Sequence, residues 1–407
     1  MQTKQAEKEY LARTGSSSWE RAKPFSPPGA DTLGESAWML HDFAVALLAL
    51  QPMPDDRILD LGAGAGWCSD LLGRLNRSAV AVDISLDMLR AARSRPGAPI
   101  RAAAGDMEQL PFRTATFHKA VCLSAVHHVP DLGKALHEIS RVLTDDGVAL
   151  FSEPGQGHAQ APVSSAAVRD FGVLEQDILV TPFMRQCHDA GFQHVTLRPL
   201  LHAVPGFEVF LDEWHSWSRL SASTRPRRAL AKIAFGVAEV FGLGKRGPLF
   251  EEAMAVRMVR TLRQVVEHHP IIVAAKSPPP LRTGRQWDAA IDAERREPTD
   301  RDFGIRLEVL AINRGWGRWR AHSGSGIGHV SLGIQLLDAG GRVLARDYHR
   351  VALPNDVAPG GAVSLAFACP PPSAPGEYRL KLDLVAEGVA WFETTGSTPA
   401  FVALHVD

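Results

Sequence analysis

The chain has 407 residues, more than one compact core ordinarily takes, so two domains are expected. Its 44 Lys+Arg against 45 Asp+Glu give a net charge of −1, which excludes a global field that would draw in nucleic acid or an anionic membrane. Cys68, Cys122, Cys187 and Cys369 are widely spaced, which argues against a disulfide framework and fits a reducing, cytoplasmic setting.

Residues 1–33 are polar and rich in Ser and Pro, and read as a flexible arm without a signal-like apolar stretch. From Ser36 to Leu50 apolar residues recur at helical spacing. Short apolar runs follow at Arg57 to Leu61, Ala79 to Val82, Ile100 to Ala103, Lys119 to Leu123 and Val148 to Phe151. Helical segments separate them, which is the pattern of a parallel sheet covered on both faces. A helix at Pro182 to Ala190, stopped by Gly191, leads to a strand at His194 to Leu197. Helical periodicity then fills residues 206–269 before a buried strand at Ile271 to Ala275. The reading is a doubly wound α/β domain over residues 34–276, with 206–269 as an inserted helical lid. Nowhere do the roughly 18 uninterrupted apolar residues of a transmembrane segment occur.

Residues 277–302, with Pro278-Pro279-Pro280 and mixed charges, read as a linker. Beyond them, alternating strands are predicted at Ile305 to Asn313, Val330 to Leu337, Val343 to Tyr348, Ala362 to Ala368, Glu377 to Val385 and Phe401 to Val406. Glycine turns separate several of these, and an antiparallel β-sandwich over 303–407 is the expectation.

The most informative stretch is Ile58-Leu59-Asp60-Leu61-Gly62-Ala63-Gly64-Ala65-Gly66-Trp67, a buried strand running into a glycine-spaced turn. Glycine suits a backbone that turns sharply and comes within contact of a ligand. Position 67 is Trp where a dinucleotide fingerprint wants its last glycine, so NAD is the weaker reading. Asp60-x-Gly62-x-Gly64-x-Gly66 resembles the first motif of class I S-adenosyl-L-methionine (SAM)-dependent methyltransferases, which are Rossmann-like. The resemblance implies that Gly62, Ala63, Gly64 and Gly66 form the cofactor turn, with Asp60 near the ammonium group. Asp83 ends the next strand at about the 20-residue offset where an acid reaches ribose hydroxyls. By resemblance Asp83 holds the ribose, Ile84 flanks the adenine, and Asp106 and Met107 contact it, with Ser124 in the same cofactor set. Cys122-Leu123-Ser124-Ala125-Val126-His127-His128-Val129-Pro130-Asp131 resembles the quinone-methyltransferase-like subgroup, whose members take unrelated acceptors.

Methyl transfer from a sulfonium is an in-line displacement, so alignment and exclusion of water are the protein's main tasks. A hydroxyl acceptor also needs a base. The candidates are Glu153 and His158, in a Pro-Gly-x-Gly segment after the fifth strand, and His127 and His128 after the fourth. His127 equally reads as a buried imidazole beneath the cofactor. In an extended segment the two rings point oppositely, so at most one faces substrate. No further acids or histidines stand at ligand spacing, and a metal-independent site is expected. The helical lid, with Trp214, Trp217 and an Arg225 to Lys232 basic cluster, reads as an intramolecular cap or as a peripheral membrane contact.

Asn313-Arg314-Gly315-Trp316-Gly317-Arg318-Trp319, Pro375-Gly376-Glu377-Tyr378 and Val389-Ala390-Trp391-Phe392 resemble immunoglobulin-like domains of the four-tryptophan type. Such domains also occur appended to bacterial enzymes of surface-polysaccharide assembly. Trp391 is expected in the core, while Trp316 and Trp319 stay open as saccharide-stacking or protein-partner contacts. The functional expectation is O-methylation of a sugar or glycan precursor, with a quinone-like acceptor or a non-catalytic SAM-binding scaffold as alternatives.

Overall fold

The computed structural model describes residues 2–14, 17–96, 99–198, 263, 266–278, 285–296, 304–324 and 326–406. The chain divides into two compact units, Met1–Pro279 and Pro280–Asp407. The expected helical insertion over 206–269 lies almost entirely outside the described residues, and nothing here bears on it.

In the first unit seven strands form one sheet in the order β3-β2-β1-β4-β5-β7-β6. The strands are β1 (Arg57–Leu61), β2 (Ser78–Asp83), β3 (Arg101–Ala104), β4 (Phe117–Leu123), β5 (Leu143–Ser152), β6 (His194–Leu197) and β7 (Ile271–Ala275). β1 to β5 are parallel, and β7 runs antiparallel between β5 and β6. Period-two alternation sends successive side chains to opposite faces. Leu59, Leu61, Ala120, Cys122, Ala149 and Phe151 pack on α6 (Leu132–Val142) and α8 (Val180–Asp189). Ile58, Val121 and Leu150 face the opposite side, against α3 (Leu33–Leu50) and α4 (Trp67–Arg74). Two further helices are α5 (Leu86–Arg93) between β2 and β3 and α7 (Pro162–Phe171) after β5. α3 is long and apolar enough to cross a membrane by length and composition, and its Phe43, Ala46 and Leu50 are buried on the sheet.

The arm expected over residues 1–33 is instead largely helical: α1 (Gln2–Thr14), α2 (Ser18–Ala22) and the start of α3. α1 is too polar to announce a buried face. It is held by contacts to α5 and α7 and by an ion pair from Lys4 to Asp106. Tertiary contacts have overridden local composition here.

The second unit has two antiparallel sheets around one core, an arrangement consistent with a β-sandwich. One sheet is ordered β11 (Val343–Ala352), β10 (Val330–Asp338), β13 (Gly376–Ala386) and β14 (Ala390–Trp391), with β15 (Ala400–Val406) also on β13. The other is ordered β12 (Ala362–Cys369), β9 (Ile305–Asn313), β8 (Ala289–Arg296). β8 falls inside the expected linker. Its small inward residues, Ala289, Ile291 and Ala293, give a faint alternation, while Asp292, Glu294 and Arg296 place charges along a sheet edge. Trp319 is fully buried, its ring 5.7 Å from that of Phe392, which settles it as a core residue. Trp391 is buried over Gly333, where any side chain would meet its ring, and Arg350 covers it at 4.5 Å. Trp316 is half-buried. Trp319→Ala is expected to destabilise this unit by about 3–5 kcal/mol, the usual cost of emptying so large a buried site. Denaturant unfolding of the full chain would show it; a change below about 1 kcal/mol would place Trp319 outside the packed core.

Candidate active site

β1 ends at Leu61, and the chain then turns through Gly62 (φ 62°) and Gly64 (φ 53°) into α4. Both sit in the left-handed region that side chains resist. At Gly62 close packing adds to this, because a Cβ would overlap that of Ala125 and press on Met107. At Gly64 a Cβ would meet no protein atom within 4 Å, so the backbone there stands open to the cavity. Gly66 begins α4 against Ala92 and does not line the cavity.

The turn is tied to the neighbouring strand ends. Ala63 N–H donates to the Val82 carbonyl at 3.0 Å, and Gly64 N–H donates to Asp83 Oδ2 at 2.8 Å. Asp83 Oδ1 accepts from Ser85 N–H at 2.8 Å. Burial raises the Asp83 pKa against these donors. Asp60 does not line the cavity: its Oδ2 accepts from the backbone N–H and hydroxyl of Ser69 at 3.0 and 2.7 Å, which pins α4 to β1. Asp106 Oδ1 accepts from Glu108 N–H, and its Oδ2 lies 2.6 Å from Lys4 Nζ of α1. Against the upward push of burial, these donors hold Asp106 below the ordinary carboxylate range.

These strand ends open onto a cavity of about 940 Å³. Gly62, Ala63, Gly64, Asp83, Ile84, Asp106, Met107 and Ser124 all line it. Ser124 does so with φ 57°, a strained conformation for a residue other than glycine. Open α/β sheets bind ligands at this C-terminal edge. Residues 59–151 match the family described as a methyltransferase domain. The cofactor of this domain is S-adenosyl-L-methionine.

The chain is 38% identical over 97 residues to an uncharacterized protein of Methanocaldococcus jannaschii, covering 24% of this chain and 36% of that one. It is 36% identical over 108 residues to the demethylmenaquinone methyltransferase of Corynebacterium kroppenstedtii, covering 26% and 46%. With the malonyl-[acyl-carrier protein] O-methyltransferase of Legionella pneumophila it shares 35% over 105 residues, covering 24% and 36%. The match therefore spans less than half the length of each of these relatives. A solved structure of Haemonchus contortus phosphoethanolamine N-methyltransferase 2 with S-adenosyl-L-methionine aligns over 66% of this chain and 59% of that one, at 18% identity and a TM-score of 0.40.

The catalytic candidates separate. Glu153 is fully buried outside the cavity lining. Its Oε1 accepts from Ala125 and Val126 N–H at 3.1 Å and from the Cys122 thiol at 3.2 Å; its Oε2 takes His127 Nδ1 at 2.8 Å. Against burial, His127 and these backbone donors keep its pKa below the usual value. His127 is buried in a 3₁₀ turn, Val126–His128, with its ring 3.9 Å from that of His128. Of the two, His128 lines the cavity, donating through Nδ1 to the Leu174 carbonyl at 2.7 Å. His158 does not line it, and pairs with Glu175 at 2.7 Å.

The cavity is also lined by residues that motif reading missed. Lys4, Glu7, Tyr10 and Leu11 present one face of α1, and Trp38, Met39 and Asp42 one face of α3, with His268 and His269 beside them. Asp42 Oδ2 accepts from the Ser152 hydroxyl at 2.6 Å and from His269 Nε2 at 3.1 Å. A carboxylate inside the apolar α3 run was a legible signal. Nothing in the sequence pointed to Lys4 or His269.

Two outcomes follow. Gly62→Val should weaken binding of the demethylated cofactor, S-adenosylhomocysteine, at least tenfold by calorimetry, because the side chain would drive Ala125 from its place; wild-type affinity would refute this. Burial pushes Asp60 up to about 7 against its Ser69 donors. A folded pKa above the unfolded ~3.9 means that its contribution to stability is full below about pH 4 and is lost as pH rises through about 7. Asp60→Asn should flatten this part of the profile; unfolding free energies of both proteins across pH 4–8 must therefore diverge with pH, and a constant difference would exclude the titration.

Proposed function

We propose that the chain is a SAM-dependent O-methyltransferase whose acceptor is a sugar or glycan precursor. The observation that carries the reading is one cavity with two unlike halves: a glycine turn with strand-end carboxylates, and an aromatic wall with an imidazole–carboxylate pair. The first half suits the cofactor. Each Asp83 oxygen takes one backbone donor and keeps a lone pair for a ribose hydroxyl. Ile84 and Met107 offer apolar contact to an adenine ring beside Asp106, and Gly64 lets the backbone approach. When bound, the cofactor supplies an electrophilic methyl group on sulfur.

In the second half, Trp38 supplies an aromatic ring while Asp42 and His269 supply polar groups, a mixture that suits a polyhydroxylated acceptor. His269 Nε2 faces the Asp42 carboxylate, so the ring proton lies there and Nδ1 is left basic. Such a pair draws a proton from a hydroxyl as it becomes nucleophilic. Glu153 and His127 hold the loop that carries Ser124 and His128 rather than meeting substrate. The second unit, read as an immunoglobulin-like domain of the four-tryptophan type, would engage a saccharide or protein partner. Four free, buried cysteines fit the cytoplasm. Met39, Leu11 and Trp19 on the same wall favour a second reading, a lipophilic, quinone-like acceptor.

Incubation with methyl-labelled cofactor and cell extract should place label in nucleotide-sugar or polymer fractions; label in the organic phase would establish the second reading instead. His269→Gln should lower kcat by about 10²–10⁴ while S-adenosylhomocysteine affinity holds. Absence of any S-adenosylhomocysteine binding by the wild-type chain would refute the enzyme reading altogether.

A further inference from the structure

Behind the cavity, three side chains from separate segments bring donor atoms within 4.8 Å of one another: His127, His158 and Glu175. His127 sits in the turn after β4, His158 in the loop after β5, and Glu175 beyond α7. The orientation of His127 is fixed from behind. Its Nδ1 lies 2.8 Å from Glu153 Oε2, a carboxylate that can only accept, so Nδ1 carries the proton. The lone pair of Nε2 therefore faces Glu175 Oε2 across 3.7 Å. Glu175 Oε2 accepts from His158 Nε2 at 2.7 Å in the metal-free chain, and a positive centre between these atoms would satisfy the His127 lone pair as well. His158 Nε2, 2.7 Å from the same oxygen and 3.4 Å from Ser164 Oγ, closes the third side.

We propose that His127, His158 and Glu175 form a binding site for a divalent transition-metal ion of the zinc or iron(II) class. Two imidazoles and one carboxylate are the donors such ions favour, and they leave coordination positions for water or another ligand. Ligand atoms about 2.0–2.2 Å from an ion in tetrahedral geometry lie about 3.4 Å apart, between the two separations seen around Glu175 Oε2. Glu153 completes the pattern, since a metal-bound histidine ordinarily gives its other ring proton to a carboxylate. The expectation of a metal-independent protein arose because Glu175 stands 17 residues beyond His158, outside any local ligand spacing.

The test uses the full chain, stripped with chelator and titrated with Co²⁺ or Zn²⁺ alone. One equivalent of Co²⁺ should produce visible d–d absorption, and Zn²⁺ should displace it. Glu175→Gln and His158→Ala should each weaken Zn²⁺ binding at least tenfold in calorimetry, with thermal unfolding confirming that both fold. His194→Ala, at an exposed position remote from the cluster, should bind as wild type. No absorption at one equivalent, or equal Zn²⁺ affinity in wild type and Glu175→Gln, would overturn the site. S-adenosylhomocysteine binding, measured on the same samples, keeps this outcome separate from that of the methyltransferase reading.

Discussion

The carboxylate of Glu153 is the constraint on which the site rests. It lies just past the end of β5 with no Lys or Arg partner among the described residues, and is sustained by backbone N–H groups of the loop after β4 and by the His127 ring. A buried charge is tolerable only where donors replace the water it has lost. Satisfying that requirement coils residues 125–128 tightly around the carboxylate. The same coil puts Ser124 and His128 on the cavity wall and Ala125 under the glycine turn. It also turns the far nitrogen of His127 toward Glu175.

The two histidines thus have different surroundings although they are adjacent in sequence. His128 reaches the cavity and borrows the Leu174 carbonyl, while His127 is held between two acids, Glu153 and Glu175. Their rings nevertheless lie close, 3.9 Å between centroids. Above both lies α1, whose Glu7 is 3.8 Å from His128 and is raised in pKa by burial, an effect reinforced by Glu175. Lys4 on the same helix takes one oxygen of Asp106, so α1 is tied to the loop after β3.

The strands around the cofactor turn were legible because buried parallel strands are short apolar runs, and the observed limits of β1 to β4 fall within a residue or two of those expected. The motif acids were legible as residues, but their partners were not. Asp60, Asp83 and Asp106 all sit at or near strand ends, yet Asp60 is turned to Ser69 and away from the cavity, while Asp106 lines the cavity with one oxygen held by Lys4. Strand alternation says which way a side chain points and nothing about what fills the space in front of it. β8 and α1 escaped notice for a related reason: charged, weakly apolar segments gain their structure from neighbours distant in sequence.

What the sequence determined by itself is the doubly wound sheet, most strands of the second unit and the glycine turn, because each follows from a period, a run length or a backbone conformation confined to a few adjacent residues. The tertiary structure alone decided that Glu153 organises a loop, that Asp42 meets His269 and that His127, His158 and Glu175 converge. Those pairings join residues 17 to 227 positions apart. They depend on how strand ends and loops stack in space, and no local pattern of residue types encodes that.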